Sequence, residues 1–97
     1  MRRPPRRVEL STAFRRDLRR EDRGRLRGQV QPLVEQLVNL LAVDAPLPPA
    51  SRDHPLTGDW TGYRDCHVRP DLVLIYRKPD DTRLQLVRLG SHSELFG

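Results

Sequence analysis

Ninety-seven residues suffice for one compact core and exclude two, because a chain of this size buries only roughly two thirds of its unfolded surface. Charged residues make up 32% of the chain against 36% hydrophobic, which is polar but not disordered, and the net charge of +5 is almost all arginine, with Lys78 the only lysine. A single cysteine, Cys66, excludes an intramolecular disulfide and no apolar run approaches the roughly 20 residues of a membrane span, so a cytosolic protein with no membrane partner is expected.

The arginine excess suits a polyanion, since a guanidinium offers phosphate two parallel donors and is weakly hydrated. A genome that favours arginine codons would produce the same composition. Residues 1–7, with four arginines and two prolines, read as a loose basic tail, and a single domain is expected over 8–97. Val8-Glu9-Leu10 alternates as a short strand. Ser11 or Thr12 then caps a helix that carries Phe14 and Leu18 on one face and ends near Gly24. Its other residues, Arg15, Arg16, Asp17, Arg19, Arg20, Glu21, Asp22 and Arg23, predict a surface helix with a narrow apolar stripe.

A second helical face is written by Leu26, Val30, Leu33, Val34, Leu37 and Leu41. Pro32 interrupts it, as a kink inside the helix or as a late start, where a missing amide costs nothing. The three prolines within Ala45–Ala50 hold the next segment extended and deliver Asp53-His54-Pro55-Leu56. Strand-like runs follow at Tyr63–Val68, Leu72–Arg77 and Leu84–Leu89, separated by Arg69-Pro70 and Pro79-Asp80-Asp81, which predicts two consecutive hairpins. The order β-α-α-β-β-β gives an α+β fold, a helical hairpin packed on a mainly antiparallel four-stranded sheet.

The three histidines, His54, His67 and His92, each stand next to an expected element end, and Asp71 lies across a turn from His67. Metal-free RNA cleavage needs a base for the 2'-hydroxyl, an acid for the leaving 5'-oxygen and cations for the phosphoryl oxygens. Imidazole, with an unperturbed pKa of about 6.5, suits the first two tasks. Arg64 and Arg88 are the candidates for the third. Each histidine also has an ordinary reading as a loop hydrogen-bonding residue, and the arginines as solvated strand residues. Neither a His-Glu-x-x-His run nor paired cysteines are present, so no metal or cofactor is implied.

The second half carries more specific signals. Pro46-Leu47-Pro48, then Asp53-His54-Pro55-Leu56-Thr57-Gly58-Asp59-Trp60, then Gly62-Tyr63-Arg64-Asp65-Cys66-His67-Val68-Arg69-Pro70-Asp71 resemble YafQ-like toxins of the RelE/ParE superfamily in order and spacing. Leu74-Ile75-Tyr76 and Leu89-Gly90-Ser91-His92-Ser93-Glu94-Leu95-Phe96-Gly97 are similar to the family's next strand and closing motif. The likeness is strong from Pro46 to Gly97 and general from Val8 to Ala45. It implies a RelE-like, microbial RNase-type fold and an endoribonuclease that cuts mRNA on the ribosome, in the 30S decoding site beside 16S rRNA. It also implies a silencing antitoxin, DinJ- or RelB-like and of ribbon-helix-helix type. In such toxins the residues matching His54, His67, Asp71 and His92 form the acid/base set, and the one matching Phe96 orients the RNA.

One position departs from the family pattern: Leu72 stands where a tryptophan follows the aspartate. Base stacking, worth about 1–3 kcal/mol, is lost there. Trp60 is a candidate to compensate, with packing as its ordinary role. Rival readings are a gyrase-poisoning toxin of the ParE type, whose members lack this histidine set, and an inactive protein that only binds an antitoxin.

Overall fold

The computed structural model describes residues 3–97. It is an α+β fold: β1 (Arg7–Leu10), α1 (Thr12–Arg23), α2 (Val30–Ala42), β2 (His54–Pro55), β3 (Arg64–Arg69), β4 (Leu72–Arg77), β5 (Arg83–Gly90) and α3 (His92–Phe96). Single 3₁₀ turns at Pro49–Ser51 and Gly58–Trp60 flank β2. The sheet order is β1-β5-β4-β3-β2, with β1 parallel to β5 and every other pair antiparallel. Both predicted hairpins form, and the sheet has five strands where four were expected. The fifth is β2, a two-residue edge strand with proline in it, too short for an alternating pattern to reveal.

α1 begins where its cap residue requires: the Ser11 hydroxyl accepts from the Phe14 amide at 2.9 Å. α2 takes the late start. It opens at Val30, so Pro32 lies in the first turn, where amides have no intrahelical partner to lose. Leu26 precedes the helix and still packs against the core. Phe14, Val30, Val34, Leu37 and Leu41 from the helices bury against Cys66, Leu72, Leu74, Tyr76, Leu84, Leu86 and Leu89. The opposite face of the sheet holds a smaller cluster, Val73, Ile75 and Leu95, with Leu56, Trp60, Tyr63 and Val87 around it. β4 is central and covered on both faces, which is why Leu72–Tyr76 is an unbroken apolar run.

Residues before Val8 take part in the fold. Arg7 belongs to β1, and the Arg6 amide donates to the Ala42 carbonyl at 2.8 Å. The Arg6 side chain reaches Asp44 at the end of α2 and the Asp80 carbonyl in the β4–β5 turn. The proposed tail therefore loses its last two residues to the fold, while its first two, Met1 and Arg2, lie outside the described residues.

A second correction concerns α1. Asp17, expected on a solvated face, is fully buried and accepts from Arg88 Nε at 2.7 Å, the Leu89 amide at 3.0 Å and Arg20 Nη1 at 3.2 Å. Burial opposes its charge, yet Arg88, the Leu89 amide and Arg20 together hold its carboxyl below the ordinary range.

Candidate active site

Side chains alternate along β3, so its odd and even positions serve different faces of the sheet. Cys66 and Val68 join the helix-side core, and Arg64 lies on the same side, bonded to Tyr76. Asp65 and His67 emerge on the other face, opposite Ile75 and Val73. β2 pairs His54 with Asp65 in register, which sets the first histidine beside the second.

His54 is held from two sides. Its Nδ1 lies 2.6 Å from the Arg52 carbonyl and 3.2 Å from Asp65 Oδ1. A carbonyl only accepts, so Nδ1 carries the proton and, in the neutral ring, Nε2 is left with its lone pair. Arg52 makes this contact from a left-handed backbone conformation, φ 48°, that a non-glycine residue rarely adopts and that a defined position has to enforce.

His92 opens α3, directly after the Ser91 cap, and its ring centroid lies 5.2 Å from that of His67 and 5.8 Å from that of Phe96. Phe96 is half exposed and meets Trp60 edge-on at 6.4 Å; Trp60 in turn packs on Tyr63 at 5.3 Å. His54 and His92 are exposed and His67 is half-buried, so the imidazoles line an open surface rather than a sealed core.

Asp65 lies behind them, 2% exposed, with its Oδ1 lacking any hydrogen-bond donor among the described residues. The His54 Nδ1 contact at 3.2 Å is within ion-pair range, but that nitrogen's hydrogen is directed to the Arg52 carbonyl. Burial pushes the Asp65 carboxyl above the ordinary range, while positive charge on His54, His67 or His92 pulls it back. A carboxylate left under-satisfied in this way rewards any imidazole that becomes cationic, which is a useful property in a proton-transfer site.

The other predicted positions make no hydrogen bond or ion pair with this centre among the described residues. Asp71 is exposed in the β3–β4 turn and makes none of the hydrogen bonds or ion pairs among the described residues. It lines a groove of about 510 Å³ with Arg25, Leu26, Arg69, Ser91 and Glu94, whose lining includes none of the three histidines. Leu72 is 2% exposed and belongs to the helix-side core, out of reach for stacking.

Arg64 and Arg88 are not a free pair of cations. Arg64 Nε binds Asp53 and the Tyr76 hydroxyl, each at 3.2 Å, on the sheet face away from His67. Arg88 commits Nε and Nη2 to Asp17. Sequence reasoning gave these two arginines a site role and missed the carboxylates that hold them. It also missed Asp65, although the two-residue spacing from His67 puts both on one strand face; its burial beneath three imidazoles had no local signal.

Residues 6–97 match the family described as the bacterial toxin of type II toxin–antitoxin system, YafQ. This chain belongs to the YafQ toxin family. The mRNA interferase toxin YafQ of Escherichia coli strain B is 40% identical over 91 residues, covering 93% of this chain and 95% of that protein. The K12 protein of the same description is 56% identical over 52 residues, so the chain spans about half its length: 54% of this chain and 55% of that protein are covered. In the crystal structure of the E. coli DinJ-YafQ toxin–antitoxin complex, a chain 38% identical superposes with a TM-score of 0.81, covering 97% of this chain and 100% of the other. The RelE-like fold expected from the sequence is the one this family adopts.

Proposed function

We propose that this chain is a cytoplasmic toxin that cuts mRNA in the 30S decoding site, beside 16S rRNA, by metal-independent acid/base catalysis, and that a DinJ- or RelB-like antitoxin silences it. The observation that carries the reading is the group of three accessible imidazoles against one buried, under-satisfied carboxylate. The relatives named mRNA interferase and the YafQ relative bound to DinJ support the substrate and the partner.

In this mechanism His54 Nε2 takes the proton of a ribose 2'-hydroxyl. The resulting oxygen attacks the adjacent phosphorus, the bond to the 5'-oxygen breaks, and protonated His92 supplies the proton that this leaving oxygen needs. The products are a 2',3'-cyclic phosphate and a 5'-hydroxyl. His67, against the His92 ring, and Asp71, on the rim of the groove, complete the acid/base set. Asp65 is a positioning and charge-compensating residue for the imidazoles. Phe96 offers a base an exposed aromatic face. Arg64 and Arg88, the cations expected for the phosphoryl charge, are turned to Asp53 and Asp17 and take no step in this mechanism.

The test is cleavage of a defined message on programmed ribosomes, with DNA supercoiling by gyrase measured in parallel. His54→Ala and His92→Ala should each slow cleavage by about 10²- to 10⁴-fold while binding antitoxin normally. Wild-type rates in both variants would remove the catalytic assignment. Equal cutting of free RNA would remove ribosome dependence, and a rate that rises when a transition metal is added to metal-stripped toxin at constant magnesium would remove metal independence. Gyrase inhibition with intact messages would replace the proposal by the ParE-type reading.

A further inference from the structure

α3 carries both His92 and Phe96, yet its five residues are too few to hold a helix by themselves. Its placement comes from outside. The Ser91 hydroxyl accepts from the Glu94 amide at 3.1 Å, and Glu94 Oε1 accepts from the Ser91 amide at 2.8 Å, closing a capping box at its start. The other Glu94 oxygen lies 3.3 Å from Arg20 Nε, on α1. Arg20 also donates from Nη2 to the Leu89 carbonyl at 2.9 Å and from Nη1 to buried Asp17 at 3.2 Å, and it meets Glu21 at 2.9 Å. Three planar nitrogens thus reach the end of β5, the capping box and the interior of α1 at once. Gly90 makes room for this. A Cβ there would stand 3.0 Å from Arg20 Nη2, 3.2 Å from Glu94 Oε1 and 3.3 Å from Leu95 Cδ2.

We infer that Arg20 is a positioning residue for the reaction: by tying the Leu89 carbonyl and Glu94 to α1, it fixes the turn at Gly90 and Ser91 and so the place of the His92 ring. The inference rests on the proposed role of His92. Arginine suits the task because its rigid fork addresses several acceptors in one plane, which a lysine ammonium on a flexible stem does not.

The experiment compares wild type, Arg20→Ala, Arg20→Lys, Gly90→Ala and the Arg20→Ala/Gly90→Ala double variant, as full chains, in ribosomal cleavage. The His92 ring is followed by NMR and folding by thermal melting. Arg20→Ala should lower kcat by about 10- to 100-fold with KM within about twofold, and it should shift the His92 ring resonances. Arg20→Lys should restore only part of the rate. Gly90→Ala keeps the charges but displaces them, so it should lower kcat in the same way, and the double variant should be little worse than either single one. An Arg20→Ala protein with unchanged kcat and unchanged His92 resonances overturns the inference. So does a loss of rate that merely follows the unfolded fraction. His92→Ala separates the two levels: if it is inactive while Arg20→Ala is unaffected, only this inference fails, whereas a fully active His92→Ala protein removes the catalytic reading beneath it.

Discussion

Two buried aspartates with opposite circumstances distinguish the two sides of this sheet. Asp17, between α1 and β5, receives Arg88, Arg20 and the Leu89 amide, and its carboxyl is held below the ordinary range. Asp65, on β3, faces His54, His67 and His92, keeps one oxygen without a donor, and is pushed up by burial. Guanidinium partners are charged at every accessible pH, so Asp17 is satisfied permanently and serves the fold. An imidazole exists in a neutral and a cationic form, so residue type alone does not give Asp65 a permanently charged partner. The same residue type at the same depth is thus a structural anchor or a site component according to whether its partners carry a permanent charge.

Removing the anchor should have the larger effect on stability. Asp17→Ala leaves the buried Leu89 amide without an acceptor and Arg88 without its carboxylate, and should cost about 3 kcal/mol in denaturant unfolding. A change below about 1 kcal/mol would mean that the seam between α1 and β5 is not held by Asp17. Its depressed carboxyl also sets a sign: the stability it contributes is present above the usual aspartate range and is lost as pH falls through the folded value.

Asp65→Asn sharpens the contrast, because it should stabilise the protein by about 1 kcal/mol while slowing cleavage by about 10²-fold. Here the pH dependence runs the other way. A raised carboxyl binds its proton more tightly folded than unfolded, so its contribution is complete below the ordinary aspartate value of 3.8 and is lost as pH rises through the folded one. That slope should vanish in the asparagine variant. Melting curves between pH 3 and 7 that superpose for wild type and variant would erase the distinction drawn between the two aspartates.

The smallest effect is expected at the surface. Arg6, with Lys78 as second partner, lowers Asp44 from 3.8 to about 2. The carboxylate is largely solvated, so solvent screening keeps the worth of this clamp to well under about 1 kcal/mol. Its stability is present above pH 4 and should fade as pH drops toward 2. Asp44→Asn should flatten that acid limb and leave cleavage at neutral pH unchanged; a loss of activity would assign the clamp a role it has not been given.

Much of this was readable without coordinates. The Ser11 cap, the apolar rows of α1 and α2, the unbroken run of β4 and the two hairpins are local patterns, produced by residues within a few positions of one another. The motif from Asp53 to Asp71 and the closing Gly-Ser-His-Ser-Glu-Leu-Phe-Gly pointed to the family and to the three histidines. Local pattern failed at Pro32, which allowed two helix starts, and at β2, whose two residues form a strand only because β3 offers them an edge.

What the sequence by itself determined, then, is which segments become helix or strand and which side chains are able to move a proton, because both depend on residue type and short-range spacing. Tertiary structure alone decided that Asp17 is buried beside an arginine 71 positions away, that β1 lies against β5, that Asp65 stands behind three imidazoles and that Arg20 reaches over Gly90 to α3. The reason is physical. The free energy of a charged group depends on its depth and on which donors face it, and those are fixed only when distant segments pack together.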